Sequence, residues 1–246
     1  MESKRYYVLD NIRGITLISM ILYHAVWDIV YIYDVSWGWF RSDLAYVWQQ
    51  SICWTFILLS GFCWSFGRHK LRRGILVFGV GLLVSLVTVF VVPDSLIIYG
   101  VLTFLGTSML LMLLLEPLCK KGNPVLGCMI VIILFVLFRN VNDGNIGFEA
   151  VEVMALPDGL YANMATTFLG FPMRGFFSTD YFSLIPWFFL FQTGYFINRV
   201  LEEKKGMKYL TGKKIPVLGW MGRNSLWIYM LHQPVVYGIL FIGFEL

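Results

Sequence analysis

The sequence predicts an all-α protein, a polytopic membrane bundle of about seven transmembrane helices with a cytoplasmic N-terminus and an external C-terminus. Composition is the first reason. Of the 246 residues, 58% are hydrophobic and only 14% are charged, whereas a soluble domain has roughly 45–50% apolar and about 25% charged residues. This balance excludes an ordinary soluble globule and a disordered chain, and it argues against a nucleic-acid partner despite the net charge of +4. The lipid bilayer is the expected partner.

Apolar runs of membrane-crossing length are the second reason. A helix needs about 20 apolar residues to cross a hydrocarbon core about 30 Å thick. Such stretches occupy residues 8–33, 46–66, 74–92, 96–115, 125–138, 182–200 and 226–244. The fifth is the shortest, but without it the acidic 139–181 segment would join the basic side. We treat 1–246 as a single membrane-embedded domain, with an outer loop at 139–181 whose 160–177 part suits an interfacial or re-entrant element.

The distribution of Lys and Arg is the third reason, because cytoplasmic connections retain positive charge. With seven spans, all but three of the 19 Lys and Arg residues fall on the inner side. The three on the outer side are Arg41, Arg139 and Arg174. This asymmetry predicts an integral, multi-pass membrane protein with its N-terminus inside. No spacing typical of a metal cluster joins the four cysteines, so no metal site is expected.

The first helix carries an aligned set of ionisable residues. On a wheel of about 100° per residue, with Asp10 at zero, Arg13 falls near 300°, His24 near 320° and Asp28 again near zero. Because a charge near the bilayer centre costs about 2.5–3.5 kcal/mol even on a lenient scale, this stripe is expected to face protein or a hydrated cavity. Asp10 and Arg13, three residues apart, are expected to pair near the cytoplasmic boundary.

His24 is expected about 16 Å deeper than Arg13, near the midplane. Asp28, one turn further, could accept a hydrogen bond from one imidazole nitrogen and leave the other nitrogen as a base or a nucleophile. The alternative is a polar bridge between helices with no chemical role.

Three further places combine polar residues with span ends. The 67–73 turn, with Arg68 and Arg72, is either a positive-inside anchor or a site for polyphosphate. His232, in the last span, is either a satisfied packing residue or a direct participant. On the outer side, Asp180 could orient an acceptor amine or hydroxyl, and Trp187 lies where aromatic belts are common.

Five segments that run in order through nearly the whole chain carry a family resemblance. They are Leu-Asp-Asn-Ile-Arg-Gly at 9–14, His-Ala-Val-Trp-Asp at 24–28, Leu-Ser-Gly-Phe at 59–62, Ser-Thr-Asp-Tyr at 178–181 with Pro-Trp at 186–187, and Ser-Leu-Trp-Ile-Tyr-Met-Leu-His-Gln-Pro at 225–234. Together they resemble the bacterial relatives of the heparan-alpha-glucosaminide N-acetyltransferase catalytic domain, within the transmembrane acyltransferase superfamily. The chain departs from larger members in having fewer spans and no large domain on the acceptor side.

The resemblance implies an enzyme of the bacterial inner membrane that moves an acetyl group from cytoplasmic acetyl-CoA to an amine or hydroxyl of a glucosamine-like sugar outside. It implies His24 as the catalytic histidine, for which the spacing offers Asp28 as the orienting group, and Arg68 and Arg72 as candidates for the CoA phosphate site. Asp10 and Arg13 match the first-helix signature and are grouped with the cofactor-binding candidates. Asp180, Trp187 and His232 are the candidates for substrate binding.

Two other classes of function stay open at the sequence level. A small proton-coupled transporter could use the polar stripe as a relay, although no inverted repeat is visible. A noncatalytic membrane scaffold or sensor is the third alternative. The sequence also leaves open the acyl chain length, the natural acceptor, a homo-oligomeric state, and whether His24 acts as a base or carries the acetyl group.

Overall fold

The computed structural model describes residues 5–245, so Lys4, one of the cations used for the orientation, lies outside the described residues. Within that range the fold is almost entirely helical, with one small β-hairpin. The helices are α1 (Tyr7–Tyr31), α2 (Asp43–Trp64), α3 (Lys70–Val91), α4 (Val101–Lys121), α5 (Pro124–Leu137), α6 (Met164–Leu169), α7 (Trp187–Glu203), α8 (Pro216–Arg223) and α9 (Ser225–Glu245). The hairpin consists of β1 (Asn145–Phe148) and β2 (Val151–Ala155), which pair antiparallel.

Each predicted span corresponds to a helix, and four of the helices in residues 5–245 are long and apolar enough to cross a membrane. These four are α1, α3, α4 and α9. The fifth predicted span is a shorter apolar helix, α5, and α7 has 17 residues. The protein is therefore all-α and built for a membrane, while the seven-span topology and the orientation of the termini stay predictions.

The fourth helix begins later than its apolar stretch. Hydrophobicity continues from residue 96, but the chain around Pro93–Ser95 forms a 3-10 turn and α4 starts only after Gly100. It then continues through Pro117 to Lys121. Apolarity alone sets the approximate place of a span, and the turn geometry before it sets the first residue.

The 139–181 connection contains the hairpin, which the sequence analysis did not predict. Phe148 pairs with Val151 across its turn, and Glu149 in that turn has a left-handed φ of 50°. The amide of Asn140 donates to the Glu149 carbonyl at 2.7 Å. Further on, α6 has six residues, which at about 1.5 Å per residue is too short to span a bilayer.

The described residues form two compact units, one built from residues 5–59 and 204–245 and the other from Ser60–Glu203. In the first unit α1 packs against both α8 and α9. Two glycines permit the close crossing of α1 and α8: Gly14 faces the backbone of Leu218, and Gly222 faces the backbone of Asp10. The prediction of one domain is not tested by this division.

In the second unit α3 packs against α4, and α5 packs against α7. Small residues again lie where the backbones approach. Gly81 on α3 faces the backbone of Leu102 and Thr103, and Gly106 on α4 faces Phe78. Gly127 on α5 lies under the ring of Phe196. Small residues at such crossings are typical of helix packing in membranes, where close van der Waals contact replaces the hydrophobic effect.

The crossing of α1 and α8 gives a test of stability. A Cβ at residue 14 would lie 2.8 Å from the Cα of Leu218, so we expect Gly14→Ala to lower the free energy of unfolding by about 1–3 kcal/mol through overpacking. The matched control is Gly79→Ala on α3, where a Cβ meets nothing within 4 Å. The midpoint of thermal unfolding of the purified protein should fall for the first variant only; equal midpoints would contradict the close crossing.

Candidate active site

The inner part of α1 is tied to the C-terminal segment of the same unit by its polar residues. Asp10 pairs with Arg13 at 3.8 Å, as the sequence predicted, and also with Arg5 at 3.1 Å. The Arg13 guanidinium donates to the carbonyl of Gly222 at 3.3 Å. The side chain of Asn11 donates to the carbonyl of Lys213 at 2.9 Å. These contacts give Asp10 and Arg13 a structural role in docking α1 on residues 213–222.

The outer part of α1 meets α9, and here the partner of Asp28 differs from the prediction. Asp28 is fully buried, and its Oδ1 accepts a hydrogen bond from the Gln233 side-chain amide at 2.8 Å. No hydrogen bond joins Asp28 to His24 among the described residues, and Asp28 Oδ2 has no partner among them. A buried carboxylate takes the best donor in reach, and the amide on the facing helix supplies one that the sequence spacing did not show.

The imidazole ring of His24 lies against a second histidine instead. The ring centroids of His24 and His232 are 4.7 Å apart, with an interplanar angle of 59°. His24 is half-buried and also meets the ring of Tyr23 edge-on, at 6.1 Å between centroids. The structure therefore brings together His24 on α1 and His232 on α9, two residues that the sequence analysis assigned to different parts of the site.

The hydrogen bond of His232 determines which nitrogen is available. His232 is buried, and its Nδ1 lies in hydrogen-bonding contact with the carbonyl of Tyr229. A carbonyl can only accept, so Nδ1 carries the hydrogen and the neutral ring has its lone pair on Nε2. That Nε2 has no hydrogen-bond partner among residues 5–245. An oriented imidazole with a free lone pair can take a proton or attack a carbonyl carbon.

Arg68 and Arg72 lie exposed at the beginning of α3, in the second unit. Lys70 between them is engaged differently. Its ammonium pairs with Glu116 at 2.7 Å and lies 4.9 Å from the ring centroid of Trp64. Lys70 therefore has a structural role. Arg68 and Arg72 are exposed, so their guanidinium groups can bind an anionic group.

Asp180 and Trp187, the outer candidates for substrate binding, have structural contacts in the second unit. The Oδ2 of Asp180 accepts from the backbone amide of Val101 at 3.1 Å, at the beginning of α4, where an acidic group stabilises a helix. Trp187 is buried beneath the guanidinium of Arg139, at 5.0 Å from the ring centroid. Their assignment to the acceptor stays a prediction.

Tyr181, beside Asp180, is also held by the fold. Its hydroxyl donates to the carbonyl of Thr167. Burial raises the pKa of this hydroxyl, so Tyr181 acts as a neutral hydrogen-bond donor at physiological pH. Tyr181 therefore connects residue 181 to residue 167, and the neighbouring Asp180 connects the same segment to the beginning of α4.

Two residues of the first unit were missed by sequence reasoning. Neither Gln233 nor Tyr23 is among the site residues that the sequence predicts. The signal for Gln233 was available, since an amide within an apolar span needs a polar partner on another helix. The signal for Tyr23 was not, because an aromatic residue in a membrane helix is ordinary.

The contact between Asp28 and Gln233 leads to a prediction. Gln233→Leu would leave both oxygens of a buried carboxyl group without a donor, so we expect the free energy of unfolding to fall by about 1–3 kcal/mol or more. The control is Gln49→Leu, because Gln49 is exposed on α2. Thermal unfolding of the two variants under the same conditions is the measurement. Equal midpoints would show that Gln233 is not the stabilising partner of Asp28.

The comparison with protein families agrees with this picture. Residues 5–234 match the family described as "Heparan-alpha-glucosaminide N-acetyltransferase, catalytic". The searches of curated proteins and of solved structures gave no match. The matched range includes both histidines, Asp28 and Gln233, the basic turn and the four membrane-length helices except the end of α9. The chain belongs to the heparan-alpha-glucosaminide N-acetyltransferase catalytic family and is a membrane protein of the acetyltransferase class.

Proposed function

We propose that this protein transfers an acetyl group from acetyl-CoA on the cytoplasmic side to an amine or hydroxyl of a glucosamine-like sugar on the outer side. The observation that carries the proposal is the contact between His24 and His232 inside the helical unit formed by α1, α8 and α9. Family membership supports the reaction class. The donor, the acceptor and the residue roles are part of the proposal.

His24 is the proposed catalytic residue. On the direct route, the acceptor nitrogen or oxygen attacks the thioester carbonyl, His24 takes the acceptor proton, and the bond to sulfur breaks as CoA leaves as a thiolate that is then protonated. On the covalent route, an imidazole nitrogen of His24 attacks the thioester first, CoA leaves, and the acceptor takes the acetyl group from the histidine. Both routes need one unprotonated imidazole nitrogen.

His232 is the proposed second member of the site. Its Nδ1 is tied to the Tyr229 carbonyl, while its Nε2 is without a partner among the described residues. The oriented ring can receive the proton that His24 takes from the acceptor, or contact the acyl group directly. Asp28 acts as a positioning residue through Gln233, since this pair joins α1 to α9 one turn beyond His24 on α1 and next to His232 on α9.

The phosphates of the donor are assigned to the basic turn at the beginning of α3. Arg68 and Arg72 are exposed, and an arginine fork matches the geometry of phosphate oxygens. The free backbone amides at the beginning of a long helix add partial positive charge there. Asp10 and Arg13 were grouped with these arginines by resemblance. They pair with each other, and Arg13 also donates to the Gly222 carbonyl. We therefore assign the phosphates to Arg68 and Arg72 first.

Loss of His24 is the main test. In His24→Ala, we expect transfer from radiolabelled acetyl-CoA to glucosamine to fall by at least about 100-fold, since a positioned acid or base typically contributes 10²–10⁴-fold. The variant should elute and unfold like the wild type. Wild-type protein incubated without acceptor distinguishes the two routes, because only the covalent route leaves label on the enzyme. Full activity in a folded His24→Ala variant would refute the assignment.

The donor assignment has its own test. We expect Arg68→Ala combined with Arg72→Ala to raise the KM for acetyl-CoA about three- to ten-fold, more strongly at low ionic strength, because exposed charge contacts are screened by salt. The KM for the sugar should stay unchanged. The matched control is Arg174→Ala, which removes an exposed cation that pairs with Asp158. A donor KM that changes equally in the control and in the double variant would overturn the assignment.

A further inference from the structure

We propose that three tryptophans at the connection between α1 and α2 form a platform for the sugar ring of the acceptor, with a preference for an amine-bearing sugar. The platform consists of Trp37, Trp39 and Trp48, and Asp34 and Arg41 flank it. This inference rests on the proposed function for the identity of the sugar as acceptor. On this inference the sugar binds at the platform, whereas Trp187 is buried and Asp180 holds the beginning of α4.

Each indole ring of the platform is inclined by a small angle to the next one. Trp37 and Trp39 have centroids 6.5 Å apart and planes inclined by 25°, and Trp39 and Trp48 have centroids 6.3 Å apart and planes inclined by 24°. Trp37 is 39% exposed and Trp39 is 44% exposed. Phe40 supports the centre, because its buried ring meets Trp39 edge-on at 5.5 Å. Trp37 and Trp39 therefore form a rigid aromatic surface that is partly accessible, and the half-buried Trp48 continues it toward α1.

Two clefts adjoin the platform. The larger has a volume of about 330 Å³ and is lined by Trp39, Leu44, Val47, Trp48 and Ser51, which places it at the lower end of the range for small-molecule sites. The smaller has a volume of about 90 Å³, and its lining includes Asp34, Ser36, Trp37 and Arg41. An aromatic wall with few polar groups at its edge is the usual composition of a site for a small, partly polar molecule.

A pyranose ring fits this chemistry. Its axial C–H groups make one face weakly positive and apolar, which suits the negative face of an indole ring, while its hydroxyls lie around the edge. Asp34 and Asp43 at this connection are exposed acids, and the only nearby base in the cleft lining, Arg41, lies over the ring of Tyr31 at 5.8 Å. Two acids and one base give this connection a net negative charge, which favours the ammonium group of glucosamine over neutral glucose.

The platform is continuous with the histidine pair through packed rings. Trp48 meets Tyr23 edge-on at 5.2 Å, and its indole nitrogen donates to Ser19 on α1 at 2.8 Å. Tyr23 in turn meets His24 at 6.1 Å. The row of tryptophans therefore begins one ring away from the residue that we propose reacts with the acetyl group.

Direct sugar binding tests the platform without any catalytic turnover. Purified protein in lipid nanodiscs, free of detergents with sugar head groups, is titrated with glucosamine and with glucose, and Kd is measured by saturation-transfer NMR. In Trp39→Ala we expect Kd for both sugars to rise at least about ten-fold. The matched control is Trp220→Ala, which removes a tryptophan that is 56% exposed on α8; its Kd values should equal those of the wild type.

The charge preference is measured in the same way. In Asp34→Asn we expect the Kd for glucosamine to rise about two- to five-fold, because an exposed ion pair is lost. The Kd for glucose should stay unchanged. Kinetics add a second readout: Trp39→Ala should raise the sugar KM and leave the acetyl-CoA KM unchanged.

The outcomes separate the two proposals. Sugar binding that depends on Trp39, in a protein that transfers no acetyl group, would support the platform and refute the proposed function. Acetyl transfer with a sugar KM unaffected by Trp39→Ala would support the proposed function and overturn the platform. Absence of sugar binding by the wild type, or equal binding by Trp39→Ala, would show that these tryptophans serve only as an interfacial anchor.

Discussion

The cost of a polar side chain in apolar surroundings determines how the first unit is assembled. Helix α1 carries an ionisable stripe, and each charged member of that stripe finds a partner. Asp10 and Arg13 pair with each other, Arg13 also reaches the Gly222 carbonyl, and Asp28 accepts from Gln233. The distant partners all belong to the C-terminal segment, so residues more than 200 positions apart form one compact unit. Desolvation makes the contact of Asp28 with Gln233 specific, because a Leu in place of Gln233 would leave the buried Asp28 carboxyl group without a donor.

The same crossing of helices creates the histidine site. With α8 held against α1 through Gly14 and Gly222, α9 continues along α1 and brings His232 to His24. The pair of Asp28 and Gln233 holds the two helices together one turn beyond His24 and next to His232. Structural polar contacts therefore flank the two imidazoles that we propose as reactive groups, and these contacts hold the helices that carry the two rings. This arrangement resembles a general rule for sites, in which surrounding hydrogen bonds orient the groups that react.

Several local features depend on tertiary contacts, so the pattern of residues along the chain could not predict them. The beginning of α4 depends on Gly100 and on the Asp180 carboxylate, which comes from a loop about 80 residues later in the chain. The β-hairpin depends on Asn140 holding the Glu149 turn, and its strands are too short for a clear alternation of polar and apolar residues. Asp28 was expected to bind His24 because they are one turn apart, but spacing along one helix says nothing about a better donor on another helix. The exposed tryptophans carry no distinct signal in the sequence either, since aromatic residues are common at membrane interfaces.

The sequence by itself determined that the chain is helical and belongs in a membrane, where its helices lie, and that the ionisable residues of α1 share one face. These properties depend on hydrophobicity and on the helical period, which are local and additive along the chain. Only the tertiary structure decided which residues meet that face: Gln233 for Asp28, His232 for His24, and the Gly222 carbonyl for Arg13. The reason is that a partner in the interior is selected by distance and direction between helices, and neither quantity is encoded in the period of a single helix.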